Sequence, residues 1–368
     1  MRGPTGHDAA AERAGVRTMS DPLESVSGAV DEVLEAFLNA RIDDLVALDP
    51  ALEPVGREIA GLVAAGGKRL RPAFVYWGYR ATGADHDDGV LAPAGAVELL
   101  HTFALIHDDI MDRSAERRGR PAVHTALAAT HREEGLAGDG DWFGIGGGIL
   151  AGDLAFVWAD QLFDEAALPA AALDRARAVF TALRVEVMAG QYLDLRLAGY
   201  REAGEEDSRR VALLKSGRYT VTRPLELGAA LGGDGAAAEA LAAYGDALGL
   251  AFQLRDDVLG VFGDPEVTGK GAIEDLREGK RTVLMLRAMS LAGEAEREVL
   301  AHSLGNPELD ESGADRARQI IVESGALSSV EELLSRQEDA AQRALAPLPE
   351  PARSALSALA DLAVRRTT

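Results

Sequence analysis

The sequence predicts an all-α protein built as one large helical domain, and three observations carry that expectation. Apolar residues recur at three- and four-residue spacing almost throughout, as amphipathic helices require. Alanine and leucine dominate while aromatic residues are only 5% of the 368 positions, a composition that suits helix better than sheet. Alternating strand patterns are scarce, and no fixed-period repeat or dividing linker breaks the chain. With 47% hydrophobic positions there is ample core for a single domain.

Taken in order, the chain opens on "MRGPTGHDAAAERAGVRT", which has neither helical periodicity nor the apolar core of a signal peptide. Residues 1–20 are therefore expected to be a disordered tail, and residues 21–368 the domain. Val30, Val33, Leu34, Phe37, Leu38, Ile42 and Leu45 form the first apolar stripe. "GGKRLRP" then sets Lys68, Arg69 and Arg71 behind a flexible Gly-Gly and ahead of a helix that Pro72 can open. "ELLHTFALIHDDIMD" is an apolar helix ending in Asp108, Asp109 and Asp112, and "ERRGRP" follows with Arg117 and Arg118. Two longer amphipathic stretches come next, "AALDRARAVFTALRVEVMAGQYLDLRLA" and "AAEALAAYGDALGLAFQLRDDVLGVF". The second ends in Asp256 and Asp257, with Asp264 beyond. Gly-rich breaks between these segments divide the chain into roughly a dozen helices.

Composition narrows the function. A formal net charge of −22 repels nucleic acid and anionic membranes, so any basic cluster must be local. There is no cysteine, which removes disulfides, thiol nucleophiles and thiolate-bound metals. No uninterrupted apolar run approaches membrane-spanning length, and a cytoplasmic location is expected. Two glycine-rich stretches imitate nucleotide sites without their context. "GGGILA" follows no strand, and "GDPEVTGKG" has the wrong glycine spacing and no hydroxyl after Lys270.

The acidic clusters carry the chemistry. On a helix Asp108 and Asp112 share a face, with about 5–6 Å between their Cβ atoms. Such like charges repel unless a hard divalent cation joins them, and magnesium prefers carboxylate oxygens, water and phosphate. Either cluster alone could be a solvated surface. Two of them, each closing an apolar helix, suggest two acidic walls facing one cavity. Arginines and lysines in Gly-rich loops then suit phosphate oxygens. Singly, most of these cations read as surface charges: Arg69 does, Asp153 reads as a helix-region polar contact, and His107 as a satisfied helix residue.

These motifs, in this order, resemble the trans-isoprenyl diphosphate synthases, or polyprenyl synthetases. "GGKRLRP", "ELLHTFALIHDDIMDRSAERRGRP", "ILAGDLAF", "GQYLDL", "KSGRYT", "FQLRDD" and "DLREGKRT" carry the resemblance across nearly the whole chain. It implies a helical bundle around a deep central cavity, as a homodimer. The implied reaction is condensation of isopentenyl diphosphate with an allylic diphosphate, releasing pyrophosphate. Motif matching makes Asp108, Asp109, Asp112, Asp256, Asp257 and Lys215 the catalytic set. Asp108, Asp112 and Asp256 would be the direct ligands of about three magnesium ions. Lys68, Arg71, His101 and Arg118 match isopentenyl diphosphate positions. Arg117, Lys215, Gln253, Lys270 and Lys280 match positions around the allylic diphosphate.

Product length has a marker in this resemblance. The fifth residue before Asp108 is Phe103, an aromatic floor, and the fourth is the small Ala104. That pairing implies geranylgeranyl diphosphate, with farnesyl or longer products as alternatives. One departure stands out: Gly260 occupies the place of a third aspartate in the second acidic motif. It leaves the metal at Asp256 short of a carboxylate and keeps a non-catalytic, product-shaping subunit in view. A class I terpene cyclase is the other alternative, although it has no use for "GGKRLRP".

Overall fold

The computed structural model describes residues 21–199, 204–233, 235–263 and 273–364. The expectations for the tail (1–20), for Asp264 and for Lys270 lie outside these residues. Within them the chain is helical almost throughout, as its periodicity predicts. The helices are α1 (Glu24–Leu48), α2 (Glu53–Ala64), α3 (Leu70–Arg80), α4 (Leu91–Met111), α5 (Val123–Glu133) and α6 (Gly140–Asp164). They continue with α7 (Ala170–Gly199), α8 (Glu205–Val211), a π-helical segment (Ala212–Thr222), α9 (Arg223–Gly232) and α10 (Ala238–Phe262). A single turn, α11 (Glu274–Arg277), leads to α12 (Val283–Leu291), α13 (Glu294–Ser303), α14 (Glu311–Glu323), α15 (Ala326–Ala344) and α16 (Ala352–Val364). The periodicity merges several of these, so it counts roughly a dozen.

The only sheet among the described residues is a two-stranded hairpin, β1 (Glu116–Arg117) with β2 (Arg120–Pro121). Its turn residues Arg118 and Gly119 have φ of 54° and 70°. Positive φ at both central positions is the hairpin geometry that matches strand twist, and here an arginine takes one of them.

Helix α4 runs through the middle of the bundle, packed against α1, α3 and α6. Leu99, Leu100 and Ile106 on it are essentially sealed from solvent. The core continues through Phe74 of α3 and Leu225 of α9, and Phe163 of α6 stacks on Phe180 of α7 at 4.8 Å. Close approach depends on glycine at the α3–α9 crossing. A Cβ on Gly228 would lie 1.9 Å from the Val75 carbonyl oxygen, and one on Gly78 2.3 Å from that of Leu225. The C-terminal helix is tied in by Tyr244, whose hydroxyl donates to the Leu356 carbonyl at 2.6 Å.

Contrary to the expectation from apolar runs, two segments have the length and composition of a membrane span, Asp88–Met111 and Gly140–Asp164. The first is 72% buried, the ordinary apolarity of a core helix. The second, α6, is 39% buried and shows solvent an apolar face that includes Trp142, Leu150 and Val157.

Candidate active site

A cavity of about 1110 Å³ opens among α3, α4, α7, the π-helical segment, α10 and α11, and both acidic clusters reach it. Asp108 is on its wall from the end of α4, and Asp256 and Asp257 from the end of α10. Phe103 and Ala104 line it one turn below Asp108. Lys68, Arg71, His101 and Arg118 line it too, as do Arg117, Lys215, Gln253 and Lys280. Residues scattered over more than two hundred positions thus share one hollow.

The two aspartate pairs are built alike. In each, the first aspartate faces the cavity and the second is buried and tied down. Asp109 is fully buried and accepts from Arg117, whose Nε donates to Oδ1 at 2.7 Å. Asp257 is 6% exposed and accepts from Gln253 Nε2 at 2.7 Å. Asp109 thus stands behind the cavity lining, while Arg117 and Gln253 line the cavity and also hold an aspartate each. Burial, reinforced by Asp256 and Asp275, pushes the Asp257 carboxyl up to about 8. At neutral pH the second wall therefore carries less charge than a count of its aspartates.

Asp108 sits in a dense polar network. Gln191 Nε2 donates to its Oδ1 at 2.8 Å, and the Lys215 ammonium lies 3.4 Å away while also bonding Asp194 at 2.7 Å. Although burial opposes the charge of Lys215, Asp108 and Asp194 hold its pKa above the ordinary value. Asp112 closes α4, its carboxyl raised to about 6 by burial and then by the negative charge of Asp108. Gln191 and Asp194 both belong to "GQYLDL", and their three-residue spacing on a helix is the signal that places both on one face.

Local backbone explains why Lys215 arrives there. A Cβ on Gly190 would fall 2.4 Å from the Lys215 amide nitrogen, so α7 lets the π-helical backbone come into contact. Gly217 and Gly249 do the same between that segment and α10. A π-helix widens the turn, and such segments recur at functional sites.

On the opposite side, Tyr219 is fully buried, with the Arg71 guanidinium 4.6 Å over its ring and His101 Nδ1 3.2 Å from its hydroxyl. Arg71 Nη2 also donates to Thr220 Oγ1 at 2.9 Å. Burial and then the charges of Arg71, Arg118 and Arg117 hold His101 well below the usual imidazole range. It is a neutral hydrogen-bonding group among cations.

Arg69 overturns its reading as a surface charge. It is 5% exposed, donating from Nε to Asp31 at 2.7 Å, from Nη1 to Glu98 at 2.6 Å and from Nη2 to the Val63 carbonyl at 2.8 Å. Its backbone is left-handed, with φ of 48°, at the N-terminus of α3 between Lys68 and Arg71. The fork fastens that loop to α4, one turn before His101. His107 meets its expectation, 3.1 Å from the Ile149 carbonyl oxygen, and Asp153 lies 3.7 Å from the same ring.

Comparison with known proteins decides the family. The polyprenyl synthetase family model matches residues 54–321. The chain belongs to the polyprenyl synthetase family. A geranylfarnesyl diphosphate synthase of Aeropyrum pernix is 36% identical over 73% of this chain and 80% of that one. A geranylgeranyl diphosphate synthase of Mycobacterium tuberculosis is 34% identical over 82% of this chain and 80% of its own. Among solved structures, the geranylgeranyl pyrophosphate synthase of Corynebacterium glutamicum, complexed with isoprenyl diphosphate and magnesium, superposes with a TM-score of 0.88. It is 36% identical, covering 94% of this chain and 99% of that one. This polyprenyl synthetase is a prenyltransferase of the all-α isoprenoid synthase fold, as its motifs predict.

Proposed function

We propose that this polyprenyl synthetase joins isopentenyl diphosphate head-to-tail to an allylic diphosphate, releases pyrophosphate, and stops at geranylgeranyl diphosphate. The observation that carries this reading is one cavity with two anion-binding ends. Arg71 and His101 meet on Tyr219 with the charge of Arg118 close by, Lys68 lines the same cavity, and the acidic helix ends line it with Lys215 and Lys280. A protein that handled one diphosphate would need only one of them.

The acidic end suits magnesium. Among the described residues no three acidic or histidine side chains converge into a closed cage. Asp112, raised to about 6 first by burial and then by the charge of Asp108, stands one turn from Asp108 at the end of the same helix, where a cation would relieve both carboxylates. That donor set fits a hard cation completing its shell with water and phosphate oxygens. Asp108, Asp112 and Asp256 would hold about three such ions on the allylic diphosphate, where bound magnesium neutralises the charge of the departing group.

The chain's own residues do the remainder. Lys215 and Lys280 aim positive charge at the leaving diphosphate, favouring rupture of the allylic C–O bond toward a carbocation. Arg71 and neutral His101 hold the isopentenyl diphosphate so that its double bond lies beside that carbon. Apolar side chains below Asp108 keep water from the cation. Loss of a proton from the new C–C unit, with the released pyrophosphate as acceptor, completes the step without a protein nucleophile.

Phe103 supports the product length. Its ring lines the cavity and packs against Phe156 at 5.1 Å and His107 at 4.8 Å, and the small Ala104 lines the cavity beside it, which suits a floor at this depth. The name of the Aeropyrum relative makes a product one isoprene unit longer the alternative. Residues 21–368 are proposed to act as a single catalytic domain after the 1–20 tail, in the cytoplasm, as a homodimer. The apolar outer face of α6 supports the last point.

The test is incubation with magnesium, labelled isopentenyl diphosphate and dimethylallyl, geranyl or farnesyl diphosphate in turn, resolving products by length. A geranylgeranyl product is expected. Another length would keep the chemistry and discard the Phe103 floor. No product from folded protein would overturn the reading in favour of a product-shaping subunit.

A further inference from the structure

One eleven-residue stretch, the π-helical segment, supplies the cavity with Lys215, Ser216, Tyr219 and Thr220. Lys215 reaches Asp108 and Asp194, whereas Tyr219 and Thr220 receive Arg71 and His101. Both groups of contacts therefore depend on how this segment is turned about its own axis. Its wide turns take up more residues than the roughly 3.6 of an α-helix. Losing one residue of that excess would rotate everything downstream by about 100°, so Lys215 and Tyr219 could not both keep their places.

The glycine contacts with α7 and α10 set this register, but a glycine brings no side-chain bond to hold it. The bonds come from the downstream end. Arg223 Nε donates to Glu186 Oε2 at 2.9 Å and Nη2 to Oε1 at 2.5 Å, a two-pronged grip on one carboxylate. Nη1 of the same arginine donates to Glu226 at 2.5 Å, which fixes the fork on its own helix. Arg218 Nη1 lies 3.7 Å from the Glu186 carboxylate, and Thr222 Oγ1 donates to Asp246 of α10 at 3.0 Å. The Arg223 and Glu186 side chains are 21% and 19% exposed, too shielded for a merely solvated surface pair.

Glu186 owes this role to its place on α7. Glu186, Gly190 and Asp194 follow one another at four-residue intervals along one side of that helix, over about 12 Å. Asp194 bonds Lys215, Gly190 admits the Lys215 backbone, and Glu186 grips Arg223. One row of α7 thus holds the π-helical segment near its start and again just past its end. Glu186, Arg223 and Glu226 all lie outside the cavity lining.

We infer that Glu186 and Arg223 are positioning residues for both substrates at once. Their ion pair locks the turn of the π-helical segment, so that Lys215 meets the allylic diphosphate while Tyr219 and Thr220 seat the isopentenyl clamp. This rests on the two-substrate reading proposed above.

The experiment is steady-state condensation with each substrate varied in turn, alongside thermal melting. It compares wild type, Glu186→Leu, Arg223→Leu, their double variant, Tyr219→Phe and Arg177→Leu. Glu186→Leu and Arg223→Leu are each expected to lower kcat and raise KM for both substrates, cutting kcat/KM about 10- to 100-fold while still folded. The double variant should lose no more than either single one, because all three break the same lock. Tyr219→Phe touches the isopentenyl side and should raise that KM alone. Arg177→Leu removes a different ion pair of α7, with Asp164, and should leave the kinetics as in wild type.

If the Glu186 and Arg223 variants melt lower but turn over as wild type does, the pair is structural only and the inference fails while the function stands. A rise in the isopentenyl KM alone, as in Tyr219→Phe, would show that the lock does not serve both substrates and would overturn it. So would losses that add in the double variant, or an equal loss in Arg177→Leu. Should Glu186→Leu fail to fold, Glu186→Gln keeps the shape without the charge, and undiminished turnover there overturns the inference equally. A folded wild type that makes no product from the two diphosphates and magnesium would instead sink the two-substrate reading, and this inference with it.

Discussion

At the scale of single residues, Arg69 and its neighbours separate what a sequence exposes from what it hides. In "GGKRLRP" three cations look equivalent, yet Lys68 is exposed, Arg71 reaches the cavity and Arg69 is sealed against Glu98. Both members of the Arg69–Glu98 pair are 4% exposed, so truncating one strands a buried charge. Arg69→Leu should therefore cost about 3–5 kcal/mol in denaturant unfolding, and Arg69→Leu with Glu98→Leu should recover much of it. A double-variant loss equal to the sum of the Arg69→Leu and Glu98→Leu losses would show that the pair is not coupled. His101 gives a pH prediction. Its folded pKa lies below the ordinary 6.5, so unfolding takes up a proton at acidic pH. The stability it contributes is present above about pH 6.5 and is lost as the pH falls. Comparing thermal melts of wild type and His101→Gln from pH 7.5 to 5 should show the larger decline in wild type. Asp108 was legible because three aspartates close an apolar helix. Replacing it by Ala should lower condensation at least about a hundredfold with folding intact, by analogy with loss of one electrostatic stabiliser.

At the scale of elements, periodicity predicts the helices well because α4, α6, α7 and α10 are long and bury one side. It cannot resolve the π-helical segment, whose "KSGRYT" has no distinctive pattern and whose register is set by glycines on its neighbours. Nor does it reveal that α11 is a single turn pinned under α10. The floor of the cavity is a property of helix packing. Phe103 on α4 rests on Phe156 of α6, and Phe156 in turn lies under the Arg184 guanidinium at 5.3 Å. Arg184 is paired to Asp160 at 2.6 Å, so beneath the first aromatic ring stands a second with an ion pair behind it. Phe103→Ala should consequently lengthen the products, and Phe103→Ala with Phe156→Ala should lengthen them further, as read by chromatography of the dephosphorylated prenols. An unchanged distribution in both would move the floor to α7, where Met188 lines the same cavity.

At the scale of the whole molecule, the distribution of apolar surface is uneven in a way a lone chain does not explain. Helix α6 exposes Trp142 to 71%, Leu150 to 67% and Val157 to 56%, and their spacing puts them along one side of the helix. Contiguous apolar surface of this kind marks an interaction site more often than chance exposure. A membrane is a poor occupant for a protein with a net charge of −22, whereas a second copy offers an identical apolar face that can pair about a two-fold axis. Wild type should therefore sediment as a dimer of the 38.7 kDa chain, and Leu150→Glu with Val157→Glu should shift it toward monomer. Because Phe156 stands beside Val157 on the same helix and backs Phe103, loosening this face should also broaden the product distribution. A monomeric wild type at micromolar concentration would refute the assignment. A charged double variant that stays dimeric would place the interface elsewhere and leave the exposed side of α6 without a partner.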